Sequence, residues 1–166
     1  MKKDESSYKI LENIAKVKRE ELGEDIPIFI FRVFRHFSQL YAEDLLGKNG
    51  SNLLFINAGR ELGKEIGKIL YDRDLNKYLE RVKEFVKKEK IGKLNIVEAD
   101  NEKLVFQLDE CITCSGMESI GQRICFFETG LVAGLVEQYL GEKVVAKETK
   151  CNANGEETCE VTVYLK

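Results

Sequence analysis

The sequence predicts an α+β domain in which N-terminal helices pack on an antiparallel β-sheet. Three observations lead there. Apolar residues recur every three to four positions through roughly the first 91 residues, which is the helical period. After Gly92 the period changes to short β-rich runs separated by turn residues. Helical segments followed by hairpins favour helices gathered on one face of an antiparallel sheet, within a single domain of 166 residues. The helical half is expected over about 1–91 and the sheet half over about 92–166.

The elements follow in order. Tyr8, Leu11, Ile14, Ala15 and Leu22 form a helix stripe over residues 6–22, with Gly23 as a stop. Pro27 opens the next helix, over 28–46, where Ile30, Val33, Phe34, Phe37, Leu40, Tyr41 and Leu45 predict one buried face. Gly47 and a turn at Lys48-Asn49-Gly50 end it. Leu53 to Ile56 suits a strand or a helix entry. Asn57 to Tyr71 carries Gly59, Gly63 and Gly67 at a spacing of four. Glycines on one helix face admit a close backbone neighbour, and the interleaved Arg60, Glu61, Lys64 and Glu65 exclude a membrane span. Asp74 is an N-cap for a helix buried through Leu75, Tyr78, Leu79, Val82, Phe85 and Val86, and Gly92 ends it. Two strands, 94–98 and 103–108, flank the turn residues Asp100-Asn101. Ser115 and Glu118 have capping-box spacing and predict a helix over about 119–140, with Gly130 and Gly134 as a second close-approach pair and Gly141 as its stop. Strands over 143–149 and 158–165 surround an Asn154-Gly155 turn.

Charge and composition exclude several classes. Charged residues make up 33% of the chain yet the net charge is −3, with lysines interspersed among acids, so no basic nucleic-acid surface is expected. No apolar run is long enough to span a bilayer, and MKKDESSYK has no secretory apolar core. A cytoplasmic protein is the expectation. There, five cysteines point to metal binding, redox chemistry or buried thiols rather than a disulfide framework.

Thiolate is a favoured zinc donor. Cys111-x-x-Cys114 is a familiar half-site, and with Cys151 and Cys159 it would complete a four-cysteine centre. Cys151 and Cys159 lie on the two arms of one hairpin. A two-residue turn would send their thiols to opposite faces, so convergence requires the chain to leave the sheet near Lys150. The lone His36 has no partner at ligand spacing and reads as a boundary residue. Neither a nucleophile–base motif nor a nucleotide-binding glycine loop is present.

The segment from Cys111 to Val163 resembles the 4-vinyl reductase domain family. The resemblance rests on Cys111, Gly116, Cys125, Phe127, Gly130, Gly134 and Gly141, then Glu148-Thr149-Lys150-Cys151, Gly155 and Cys159; Gly59 and Gly63 fit the family's helical half. It is similar to the sensor domains of phenol-responsive transcription activators, and more distantly to subunits of a Golgi tethering complex that dimerise. This sequence lacks the activators' ATPase and DNA-binding parts. The resemblance implies zinc, with iron as the alternative, held by Cys125, Glu148, Cys151 and Cys159. Three thiolates and a carboxylate fill a tetrahedron, so the implied role is structural. It also implies a homodimer that binds a small apolar or aromatic molecule between helices and sheet. Phe106, Phe126, Phe127 and the helix at Phe29 to Phe37 are the candidate walls, with core packing as the alternative reading. A reductase acting on a tetrapyrrole vinyl group and a ligand-free dimeric scaffold are the other expectations. No catalytic residue is assigned.

Overall fold

The computed structural model describes residues 10–165. Helix α1 spans Ile28–Leu70, α2 Leu75–Lys88 and α3 Phe126–Leu140. Strands β1 (Lys93–Ala99), β2 (Lys103–Asp109), β3 (Val145–Lys150) and β4 (Cys159–Tyr164) form one antiparallel sheet in the order β1-β2-β4-β3. The predicted α+β class is observed.

Helix α3 lies at the centre, between α1 and the sheet. Every residue from Glu128 to Glu137 is buried, which explains why this helix is apolar all round rather than along one stripe. Its approach to α1 is backbone to backbone. A Cβ added at Gly59 would lie 2.0 Å from the Phe127 carbonyl oxygen, and one at Gly63 would lie 2.2 Å from that of Leu131. The contact is reciprocal: Gly130 meets the Ile56 oxygen at 2.0 Å and Gly134 that of Arg60 at 2.1 Å. Gly59 and Gly63 therefore share one interface with Gly130 and Gly134, while Gly67, the third glycine of the first series, faces the side chains of Gln138 and Tyr78. Beside it, α2 is capped as expected by Asp74, whose carboxylate accepts from the Asn76 and Lys77 amides, and it buries Tyr78, Val82 and Val86. The Tyr78 hydroxyl donates to the Leu135 carbonyl at 2.8 Å.

Several boundaries differ from expectation. The helix read at 6–22 is helical only through residues 10–14 of its described part; residues 6–9, with Tyr8, lie outside the described residues. Leu11 is half-buried, but Ile14 and Leu22 are exposed, so little of the stripe is covered. Gly47 breaks α1 with φ 70° and ψ 164°, as anticipated, but Lys48-Asn49-Gly50 continues the helix instead of turning. Helix α2 stops at Lys88, before Gly92, because Lys90 takes a left-handed φ of 57°. The third helix begins at Phe126, not near residue 119. Residues 115–125 form a loop with left-handed turns at Gly116 and Gly121.

The largest correction concerns the face of α1 before Gly47. Its apolar stripe is real but points outward: Phe34, Phe37, Tyr41 and Leu45 are each 66–74% exposed. The buried face instead carries Arg35, Gln39 and Ala42. Its cations satisfy backbone carbonyls in the loop after β2, which have no strand partner.

Candidate metal centre and cavity

Four elements bring the five cysteines together. Glu110, with a left-handed φ of 52°, turns the chain out of β2 into the loop holding Cys111 and Cys114. Cys125 sits at the N-cap of α3. Strand β3 ends at Lys150, so Cys151 already lies outside the sheet, and a 3-10 turn (Asn152–Asn154) leads through Gly155 toward Cys159, the first residue of β4. A bulge between Glu148 and Lys150 shifts the register against β4. The chain leaves the sheet where the parity argument required it to, and the loop is longer than a two-residue turn.

All five thiols are buried. The Sγ of Cys114 lies 3.1 Å from that of Cys159 and 3.3 Å from that of Cys125. Cys125 is 3.7, 3.8 and 3.9 Å from Cys111, Cys151 and Cys159 respectively. A tetrahedral zinc thiolate site, with bonds of about 2.3 Å, separates its sulfurs by about 3.8 Å. The three separations from Cys125 to Cys111, Cys151 and Cys159 match that spacing, whereas Cys114 lies closer to Cys125 and Cys159 than such a site would hold it. Two donor groups overlap at Cys125: Cys111, Cys114, Cys125 and Cys159 form one, and Cys125, Glu148 and Cys151 the other. The sequence-derived set is split between them: Cys125, Glu148 and Cys151 share one group, while Cys159 falls with Cys111, Cys114 and Cys125. The rival pairing of Cys111 and Cys114 likewise closes on Cys125 and Cys159, with Cys151 in the other group.

Electrostatics mark the cluster as a place short of positive charge. Burial, reinforced by the neighbouring Cys151, pushes the Glu148 carboxyl up to about 9. Its oxygens accept the Cys125 amide at 3.2 and 3.1 Å. Hydrogen bonding from Cys114 lowers Cys111 and Cys151, while Cys111 raises Cys114, Cys125 and Cys159. A divalent cation would let several of these groups ionise together.

The loop around Cys111 and Cys114 is held from α1. Arg32 donates to the Ile112 and Ser115 carbonyls at 2.8 and 2.7 Å. His36 Nε2 lies 3.1 Å from the Thr113 carbonyl. Thr113 in turn donates its hydroxyl to Glu128. Sequence reasoning missed all four. The available signal was polar residues at helical spacing beside the apolar stripe of α1, and one carboxylate in the apolar run of α3.

Glu128 also stands in the wall of a cavity of about 740 Å³ between residues 11–15, α1, α2 and α3. Phe31, Leu62, Ile66, Phe85, Phe127 and Leu131 supply much of its lining. Burial pushes the Glu128 carboxyl up to about 7; the Cys111 charge adds to this, while Arg35 and the Thr113 hydrogen bond oppose it. A second cavity of about 350 Å³ lies between α2, the β1–β2 hairpin and α3, and Phe106 lines it. The three candidate phenylalanines therefore do not share one wall. Phe127 faces the larger cavity, Phe106 the smaller, and Phe126 is half-buried beside Cys125. Phe29, Phe34 and Phe37 are exposed and line neither.

Comparison with known proteins places this geometry. The family model of the 4-vinyl reductase domain matches residues 104–165, the sheet and cysteine half. Uncharacterized protein MJ0150 of Methanocaldococcus jannaschii is 35% identical over 145 residues, covering 87% of this chain and 79% of that protein. The chain belongs to the 4-vinyl reductase domain family. A second protein of that organism, MJ1642, is 30% identical to this 4-vinyl reductase domain over 147 residues, covering 88% of this chain and 82% of its own. Among solved structures, the phenol-responsive sensory domain of the transcription activator PoxR, with phenol, has a TM-score of 0.66 at 13% identity, covering 99% of this chain and 90% of that one. A vinyl-4-reductase family protein from M. jannaschii scores 0.58 at 20% identity, with 97% and 92% covered. Trafficking protein particle complex subunit 3 from Naegleria fowleri, covalently bound to palmitic acid, scores 0.55 at 14% identity, with 81% and 96% covered. At these identities the likeness is one of fold. Among the described residues, no helix is long and apolar enough to cross a membrane.

Proposed function

We propose that this 4-vinyl reductase domain is a cytoplasmic, metal-containing module that senses or carries a small apolar or aromatic molecule. The observation that carries the reading is the 740 Å³ cavity, walled mainly by aliphatic and aromatic side chains, with one buried carboxylate in its lining. The fold neighbours support the ligand class, since one was solved with phenol and another bound to palmitic acid.

The metal is zinc, with iron as the second choice, on Cys125, Glu148, Cys151 and Cys159. With four anionic donors it would be a closed and weakly Lewis-acidic centre, so its contribution is structural: it ties the start of α3 to the β3–β4 hairpin. The chain's own residues then link cavity and centre. Glu128 in the cavity wall accepts from Thr113, which lies between Cys111 and Cys114, and Arg32 and His36 hold the same loop. Cavity occupancy therefore bears on the loop directly. The exposed face at Phe34, Phe37, Tyr41 and Leu45 is the surface through which two copies would pair.

Thermal unfolding with phenol and with decan-1-ol tests the reading. A ligand at about 100 times its Kd adds about 2.7 kcal/mol, or roughly 5–10 °C in Tm. Wild type should show such a rise, and Leu62→Trp, which pushes an indole into the cavity, should show a smaller one. An unmoved Tm with both compounds would instead favour a ligand-free scaffold.

A further inference from the structure

The helical cavity has a one-sided chemistry. Three carboxylates, Glu12, Glu89 and Glu128, are among its lining residues, and among the described residues no lysine, arginine or histidine lines it. Glu12 and Glu89 are exposed, whereas Glu128 is only 5% exposed. Buried carboxylate oxygens are costly to leave unpaired. Glu128 Oε1 accepts from the Thr113 hydroxyl, but Oε2 has no hydrogen-bond partner. Arg35 pairs with Oε2 only at a long 4.0 Å, while its Nη1 donates to Gln39, its Nη2 to the Ile124 carbonyl, its plane lies over the Phe55 ring and its Nε has no partner among the described residues.

Resting on the ligand-binding reading above, we propose that this cavity takes an organic cation: a primary amine carried on an aliphatic or aromatic body. Glu128 receives the ammonium group, the apolar walls hold the body, and the outer carboxylates repel anions. A charge-assisted hydrogen bond to a buried carboxylate is stronger than a neutral one, so the amine should be preferred over an alcohol of the same shape. A carboxylate head would place like charges together beside Glu128, where the one nearby cation, Arg35, already pairs with Glu128 at 4.0 Å.

The test uses the full chain and three probes of one length, decylamine, decan-1-ol and decanoate, titrated calorimetrically below their aggregation concentrations. Decylamine should bind about tenfold more tightly than decan-1-ol, the factor expected when one charge-assisted bond replaces a neutral one. Decanoate should not bind. Glu128→Gln should abolish the preference, so that decylamine and decan-1-ol bind with about equal affinity. Ile69→Lys, on an exposed part of the wall, should weaken the amine alone, which guards against a folding defect in the first variant. Equal binding of amine and alcohol, or tight binding of decanoate, would overturn the amine assignment and leave the ligand-binding reading standing. Absence of binding by all three would overturn both.

Discussion

Replacing Gly130 by alanine is a single-methyl test of the architecture. In an exposed helix the change would stabilise by about 1 kcal/mol, because glycine has the greater backbone entropy to lose. Here the new Cβ would lie 2.0 Å from the Ile56 carbonyl oxygen and 2.9 Å from the Arg60 nitrogen. Both are backbone atoms of α1, so no side chain can swing away. Ordinary contact begins near 3.4 Å, and the helices would have to part by about 1.4 Å, the difference between 3.4 and 2.0 Å. A gap of 0.5–1 Å already forfeits about a quarter to a half of each dispersion contact. The separation would run along the whole α1–α3 seam. Overpacking of this kind costs about 1–3 kcal/mol where side chains can adjust. With backbone on both sides, the net loss should be at least about 3 kcal/mol after the helix-propensity gain. In a domain of this size that lowers Tm by roughly 6–12 °C. Gly67→Ala is the milder comparison: its Cβ would meet side-chain atoms of Gln138 and the Tyr78 hydroxyl at 2.9 Å, a closer fit than ordinary contact but far less severe than 2.0 Å from backbone. Urea denaturation of the two variants decides the matter. If Gly130→Ala proves as stable as Gly67→Ala, the close-packed seam is not what holds α3 in place.

Two further outcomes follow from the site and surface. Glu128 titrates near 7 when folded, against about 4.5 unfolded, so the folded state holds more protons between those values. Wild-type stability should fall as pH rises through 4.5–7, by up to about 3 kcal/mol at 1.36 kcal/mol per unit. Glu128→Gln should lose that slope in pH-dependent urea melts; an identical slope in both proteins would exclude Glu128 as its source. On the surface, Phe34 and Phe37 are 74% and 69% exposed, so Phe34→Glu with Phe37→Glu should alter folding by no more than about 0.5 kcal/mol each. The same pair should convert a dimer to a monomer in light scattering, and a monomeric wild type would end the pairing proposal.

Local signals carried much of this structure. Asp74, the Asp100-Asn101 turn and the change of period at Gly92 each act through neighbouring residues, and the elements they define are where the sequence places them. The glycine spacing told of a close approach, although which two helices met could come only from the fold. Periodicity could not say which face of α1 turns inward, because an apolar stripe buries equally well against its own chain or another. The polar face won the interior since the loop after β2 needed donors for its carbonyls. For the same reason His36, which spacing left as a boundary residue, ends beside Thr113. The candidate metal residues were legible in part. Parity demanded that β3 end near Lys150, and it does. That Cys111 and Cys114 close on the same point depends on the turn at Glu110, a left-handed residue with no compositional signature.

The choice between two overlapping donor sets is the central matter, and one measurement reaches it: metal content per chain of the Cys111→Ser/Cys114→Ser double variant beside Cys151→Ser. The account predicts about one zinc per chain in the double variant, because Cys125, Glu148, Cys151 and Cys159 remain, and loss of zinc with a lowered Tm in Cys151→Ser. Zinc retained by Cys151→Ser and lost from the double variant would contradict it, and would assign the ion to Cys111, Cys114, Cys125 and Cys159.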